Sequence, residues 1–164
     1  MKTALRLSCI FLVHFICVAA YSQPSFREGY IINNNGDTTR GWIDYRQWEI
    51  NPSSIKFKTD QHAGQSQSPS LKDLSAFEVT GHDRYVRAIV NKDMRTVVIS
   101  KLDNAVDSTI TDTVFLRTLL EGKVSLYQYQ DEKIHYYIKE EGKDFQELIY
   151  KLYLKDGKLI ETHG

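Results

Sequence analysis

Hydrophobic and polar residues alternate over several stretches of the chain, with the two-residue period that is typical of β-strands buried on one side. Residues 54–58, SIKFK, show this pattern in its simplest form, because Ile55 and Phe57 share one side while lysines occupy the other. Residues 39–46 repeat it around Ile43, which is predicted to face the core, whereas Trp42 is predicted to lie on the opposite face.

Turn-forming residues divide these alternating stretches into hairpins. Residues 33–37, NNNGD, are rich in the amino acids that tolerate the positive φ of tight turns, so they predict a hairpin between residues 30–32 and 39–46. The same reasoning predicts a tyrosine-rich hairpin around residues 130–133. In chain order the predicted strands are residues 30–32, 39–46, 54–58, 77–80, 85–90, 96–100, 124–129 and 134–138.

Three stretches carry helical signals. Ser70 and Asp73 have the spacing of a capping box, which predicts one helical turn. Residues 115–120 place apolar side chains on one helical face, with a strand as the competing interpretation, and residues 145–152 repeat apolar positions at i, i+3, i+4 and i+7. Residues 85–90 and 96–100 are predicted to pair as a hairpin whose turn is Asn91-Lys92-Asp93, and residues 102–112 are predicted to form a polar connection.

These elements predict one domain over residues 23–164, of the α+β class and rich in β-structure. The sheet is expected to be mostly antiparallel, arranged as an open barrel or a sandwich, with two or three short helices.

Residues 1–22 have the pattern of a secretory signal peptide. Lys2 and Arg6 precede the apolar run LSCIFLVHFICVAA, and small residues follow it. The run is about fourteen residues, shorter than the roughly 20 that a spanning helix needs. Cleavage is expected between Ala20 and Gln23, after Ala20 or after Ser22. The product is predicted to be periplasmic or secreted, with association with the outer membrane as an alternative.

Charge and cysteine content narrow the function classes. The chain has 21 basic and 21 acidic residues, and removal of the leader leaves 19 basic residues against 21 acidic ones. This balance does not favour nucleic acid as a partner or a stable attachment to anionic lipid. Both cysteines, Cys9 and Cys17, lie within the leader, so no disulfide or thiol chemistry is expected after cleavage.

Catalytic and metal-binding patterns are not found in the sequence. It contains no glycine-rich phosphate loop, no GxSxG motif and no HExxH pair. The histidines after the leader are scattered at positions 62, 82, 135 and 163. No catalytic residue, no metal ligand and no cofactor is therefore predicted. A hydrolase that uses His82 and Asp83 is the third function hypothesis, and His135 is interpreted as a surface histidine.

Three aromatic residues, Trp42, Tyr45 and Trp48, are the candidate ligand-binding residues. Flat aromatic rings can stack on sugars or peptides, which makes a carbohydrate- or peptide-binding module the second hypothesis. The alternative, which the sequence favours, is that these rings fill or cover a small β core.

The stretch GYIINNNGDTTRGWIDYRQWEINPSSIKFK resembles the start of a family of exported proteins of Bacteroidota, with the motif GYI…NGDTxxGxIDYRxW…NP…IxF. The later stretch FLRTLLEGKVSLYQYQDEKIHYYI resembles a second block of that family. The resemblance implies export and a shared fold, and it implies no catalytic activity. Together with the leader, it favours a non-enzymatic binding or scaffold module of the cell envelope, whose partner would be an envelope protein or a glycan.

Overall fold

The computed structural model describes residues 25–96, 98, 100, 102, 108–155 and 157–163. These residues contain no α-helix, and β-strands dominate them. The strands are β1 (Phe26–Asn33), β2 (Thr38–Asp44), β3 (Phe57–Lys58), β4 (Leu74–Val79), β5 (Arg84–Asp93), β6 (Thr109–Leu120), β7 (Val124–Gln130), β8 (Ile134–Glu140), β9 (Gln146–Glu147), β10 (Tyr150–Lys155) and β11 (Lys158–His163).

Nine strands form one antiparallel sheet in the order β3-β2-β1-β4-β5-β6-β7-β8-β9. The strands β10 and β11 form a separate two-stranded sheet. The predicted β-rich, antiparallel architecture is confirmed, and so are the hairpins β1–β2 and β7–β8. The turn of the first hairpin contains Gly36 at a φ of 90°, the backbone conformation that its Asn-Gly sequence predicts.

Each face of the large sheet covers its own hydrophobic cluster. The first cluster lies over β1, β2 and β4 and includes Ile43, Phe77 and Tyr85. The second lies on the other side, over β5 to β8, and includes Leu116 and Tyr137. Strand β6 contributes to both clusters, because neighbouring residues of a strand point to opposite faces.

The strands β5 to β9, which we call the β5–β9 unit, wrap around the second cluster. Strand β9 contacts β5 even though the two are not neighbours in the sheet. The backbone N–H of Asp93 donates a hydrogen bond of 2.8 Å to Glu147, and the Tyr137 hydroxyl lies 3.5 Å from the carbonyl oxygen of Asn91. Side chains, rather than a ladder of backbone bonds, therefore join the two ends of this unit.

The predicted helices are wrong. Residues 115–120 belong to β6, and residues 145–152 form β9 and the start of β10. The helical pattern of residues 115–120 arises because Phe115 and Leu116 are both buried, one in each hydrophobic cluster. The predicted capping box does form, with Asp73 accepting bonds from the backbone and hydroxyl of Ser70, but it closes a turn that leads directly into β4.

The predicted partner of β5 is also wrong. Residues 84–93 pair with β6 instead of with residues 96–100, and β5 continues through the residues that were expected to form a turn. Val97 and Ile99, the centre of the predicted strand, lie outside the described residues. Residues 109–112, expected to belong to a polar connection, are the beginning of β6.

Candidate functional site

A cavity of about 440 Å³ lies where β5 ends and β7 turns into β8. Its lining combines one aromatic ring with several charged side chains. The lining residues on which the argument depends are Lys92, Arg95, Tyr129, Asp131, Lys133 and His135. A volume in this range suits a small molecule.

Lys92 places a positive charge deep in the β5–β9 unit. Its ammonium nitrogen lies 2.9 Å from Asp112 and 3.2 Å from Asp131, and 4.9 Å from the centre of the Tyr129 ring. Burial alone would lower the pKa of Lys92, but the hydrogen bonds with Asp112 and Asp131 outweigh this effect and raise it above its ordinary value. The lysine therefore stays charged and connects β5 and β6 to the β7–β8 turn.

His135 is enclosed by two carboxylates. Its Nδ1 lies 2.6 Å from Glu147, and its Nε2 lies 3.2 Å from Asp131. An ionised carboxylate can only accept hydrogen bonds, so a ring nitrogen that carries a proton can donate to the acid beside it. The interpretation of His135 as a surface residue is wrong, because the residue is only 2% exposed.

Asp93 is a second buried acid beside the cavity, 2% exposed. Its carboxylate accepts a hydrogen bond of 2.7 Å from Nε of Arg95, and Nζ of Lys133 lies 3.4 Å away. Burial alone would raise the pKa of Asp93, but the hydrogen bonds from Arg95 and the positive charge of Lys133 hold it below its ordinary value.

These side chains form two ion-paired groups that are joined by hydrogen bonds from the backbone N–H groups of Asp93 and Lys133, and we call them together the charged cluster. Its members are Lys92, Asp93, Arg95, Asp112, Asp131, Lys133, His135 and Glu147. Among the described residues, no group of three or more His, Cys, Asp or Glu side chains is placed to hold a metal ion. The geometry suits the recognition of a polar ligand by fixed hydrogen-bonding groups.

The three candidate aromatic residues do not form one surface. Trp42 is half-buried and follows the strand alternation, so it lies on the face opposite to Ile43. Tyr45 and Trp48 pack against the first hydrophobic cluster, with their rings 5.3 Å apart in an edge-to-face arrangement. Trp48 also contacts the rings of Phe77 and Tyr85.

Trp48 nevertheless lines a groove of about 260 Å³ at the surface. The groove also contains the ion pair between Arg46 and Asp44 and the side chain of Lys56. Of the three aromatic residues, Trp48 is therefore the one that the structure places beside polar groups in a concave site.

His82 and Asp83 are neighbours in sequence but serve different contacts. The Asp83 carboxylate accepts hydrogen bonds from the Tyr45 hydroxyl, at 2.6 Å, and from Arg117, at 2.8 Å. Burial and the hydrogen bond to Asp83 raise the pKa of Tyr45 to about 12. The His82 ring packs on the Tyr45 ring, 4.9 Å between centres. Asp83 is thus engaged in holding Tyr45 in place.

Sequence reasoning missed the charged cluster. It treated Lys92 and Asp93 as turn residues and Asp131 as a solvated turn charge. One signal was available: if β5 is extended through residue 93, Lys92 falls on the inward face that Ala88 and Val90 occupy. A charged residue at an inward position needs a buried partner, which would have directed attention to the acids.

Comparisons with protein families, with curated proteins and with solved structures find nothing that matches this chain. Among the described residues, no helix is long and apolar enough to cross a membrane.

Proposed function

We propose that this protein is an exported, non-enzymatic binding module of the cell envelope, with its ligand site in the cavity beside the charged cluster. The leader pattern of residues 1–22 and the resemblance to exported proteins of Bacteroidota support export. The observation that carries the binding role is the cavity itself, of about 440 Å³ and lined by charged side chains.

The contacts of the lining favour binding over catalysis. A general base needs a nitrogen or oxygen that can take a proton from the substrate. Both nitrogens of His135 are already engaged by Asp131 and Glu147. Lys92 is held between two acids and is more than nine-tenths buried. These groups are fixed in position, which lowers the entropic cost of binding a ligand.

We further propose that the β5–β9 unit is the open barrel expected from the sequence. The second hydrophobic cluster would be its interior, and the cavity would lie at its mouth. The contacts between β5 and β9, including the hydrogen bond from Asp93 to Glu147, support this description.

A fragment screen by ligand-observed NMR, using polar molecules of fewer than about 15 heavy atoms, tests the binding role. We expect hits whose signals weaken when Lys133 is replaced by Met, because Lys133 lines the cavity and its side chain is 20% exposed. Lys123→Met, at an exposed position in the β6–β7 turn, is the matched control. Hits that respond equally to both substitutions would contradict the proposal.

The groove beside Trp48 supports a second candidate, a carbohydrate- or peptide-binding surface. An indole next to Arg46, Asp44 and Lys56 combines a flat apolar face with charged hydrogen-bonding groups. Binding to a glycan array or a peptide array should fall in the Trp48→Ala protein and persist in the Trp42→Ala protein, since Trp42 lies on the other face of the sheet. Equal binding by both variants would exclude this candidate.

A further inference from the structure

Most members of the charged cluster are paired with one another around the cavity. Three cationic side chains, Lys92, Arg95 and Lys133, contact three of its four acids, which are Asp93, Asp112 and Asp131. The fourth acid, Glu147, lies 2.6 Å from Nδ1 of His135. One further acid, Glu132, lies at the exposed rim.

This internal pairing disfavours an ionic ligand. Lys92 already has two carboxylate partners, and Asp93 has two cationic ones. A charged ligand would have to compete with these internal partners, and removing one partner of a buried ion pair leaves an uncompensated charge. The cavity therefore has no strong preference for an anion or a cation.

The same groups retain hydrogen-bonding capacity. An ammonium group has three N–H donors, and Lys133 uses its donors on the Arg95 carbonyl oxygen and on Asp93. A carboxylate has about four acceptor positions. Asp131 accepts bonds of 3.2 Å from Lys92 and the Lys133 backbone, and Nε2 of His135 lies 3.2 Å from it. Both a donor and an acceptor thus remain available at the β7–β8 turn.

The cavity also has an apolar side. The Tyr129 ring and Met94 belong to its lining, and Met94 is 43% exposed. The C–H groups of a sugar ring can pack against such a surface while its hydroxyl groups both donate and accept hydrogen bonds.

We infer that the cavity takes a neutral polyhydroxylated ligand with the chemistry of a saccharide, held by the free donor of Lys133, the free acceptor of Asp131 and the ring of Tyr129. This inference rests on the proposed function and names the ligand class for the same site.

Binding of matched neutral and charged sugars tests it. The full chain, with its leader removed by the producing cell, is titrated by saturation-transfer NMR with three probe sets: glucose, galactose and N-acetylglucosamine with their disaccharides; glucuronic and galacturonic acid; and putrescine as a small cation. We expect a neutral sugar to bind at least about ten-fold more tightly than the uronic acid with the same ring configuration. Its affinity should change less than about two-fold between 50 and 500 mM NaCl, because no net charge is neutralised.

Two pairs of variants locate the site. Lys133→Met should lower the affinity for the neutral sugar by about ten-fold, because one hydrogen bond from a charged donor is lost. Lys123→Met should leave this affinity unchanged. Tyr129→Leu should also lower the affinity for the neutral sugar. Trp48→Phe, in the separate groove, should leave this affinity unchanged. Circular dichroism of each variant shows that it is folded.

The possible outcomes separate the two proposals. Tighter cavity-dependent binding of a uronic acid or of putrescine would overturn the inference about ligand class and leave the binding role intact. Binding of a neutral sugar that falls in Trp48→Phe and persists in Lys133→Met would overturn the inference and favour the groove as the binding site. No cavity-dependent binding of any of the three probe sets would overturn both.

Discussion

At the scale of single residues, the imidazole of His135 joins three parts of the chain. It lies in β8, it contacts Asp131 in the β7–β8 turn, and it contacts Glu147 in β9. Glu147 in turn accepts a hydrogen bond from the backbone of Asp93 in β5. One buried side chain thus orders the contacts that hold the two ends of the β5–β9 unit together.

Replacing His135 by Ala should lower the free energy of unfolding by about 3 kcal/mol, because Glu147, whose side chain is 8% exposed, loses its side-chain partner and keeps only the bond from the Asp93 backbone. Urea denaturation at pH 7 measures this change. The control is His62→Ala in an exposed loop, which should change the stability by less than about 0.5 kcal/mol. Equal effects of the two substitutions would show that His135 has no such role.

The buried Asp93 predicts a dependence of stability on pH. Its pKa in the folded protein is lower than its ordinary value of about 3.9, so its ionised form stabilises the fold above that pH. This contribution is lost as the pH falls through the folded-state pKa. In Asp93→Asn, the unfolding free energy should therefore be lower than in the original protein at pH 7, and the difference should shrink between pH 5 and pH 2.

Urea denaturation over this pH range measures the difference. Asp144→Asn, at an exposed position, serves as the control. Its free energy of unfolding should change with pH in the same way as that of the original protein. A gap between Asp93→Asn and the original protein that stays constant from pH 7 to pH 2 would contradict the assignment.

At the scale of elements, the close approach of β3 to β2 depends on a residue without a side chain. A Cβ atom at Gly41 would collide with the carbonyl oxygen of Lys58 and come within 2.6 Å of the Phe57 ring. Because Lys58 and Phe57 pair with residues 42 and 43 of β2, relief of the collision requires the short strand β3 to move.

Gly41→Ala should therefore destabilise the protein by about 1–3 kcal/mol, the usual cost of forcing extra volume into a packed site. Thermal unfolding followed by circular dichroism measures the change. Gly64→Ala is the matched control, since nothing lies within 4 Å of its added Cβ. A melting temperature that is the same in both variants would show that β3 adjusts without cost.

Residues 145–152 show that helical spacing of apolar residues does not by itself establish a helix. Residues 145–152 have apolar positions at helical spacing, yet Phe145 packs on Tyr127 in the second cluster while Leu148 is 43% exposed beside β8. Two short strands share the pattern by chance, because apolar residues three or four positions apart can also face different neighbours in a sheet. In residues 54–58 the alternation predicts the buried side correctly, at Ile55 and Phe57, although only Phe57–Lys58 form a strand. Residues 134–138 do form a strand, but His135 lies on its buried side.

At the scale of the whole molecule, the leader predicts export and cleavage. In a bacterial host that secretes through signal peptides, the mature chain is expected to begin at Tyr21 or Gln23, as measured by intact mass. Leu12→Arg should abolish cleavage, because it interrupts the apolar run, whereas Leu159→Arg, at an exposed position of β11, should not. A mature chain that still begins at Met1 would contradict export.

The sequence by itself determined the elements that depend on neighbouring residues: the two hairpins with their turns, the inward faces of single strands, and the antiparallel β-rich class. These features follow from local backbone preference and from alternation, which need no knowledge of distant partners. The tertiary structure alone decided the pairing of β5 with β6, the separation of Trp42 from Trp48, and the assembly of the charged cluster. The acids and bases of that cluster come from β5 and the segment after it, from β6, β8 and β9, and from the β7–β8 turn. Only the wrapping of the sheet brings them within hydrogen-bonding distance.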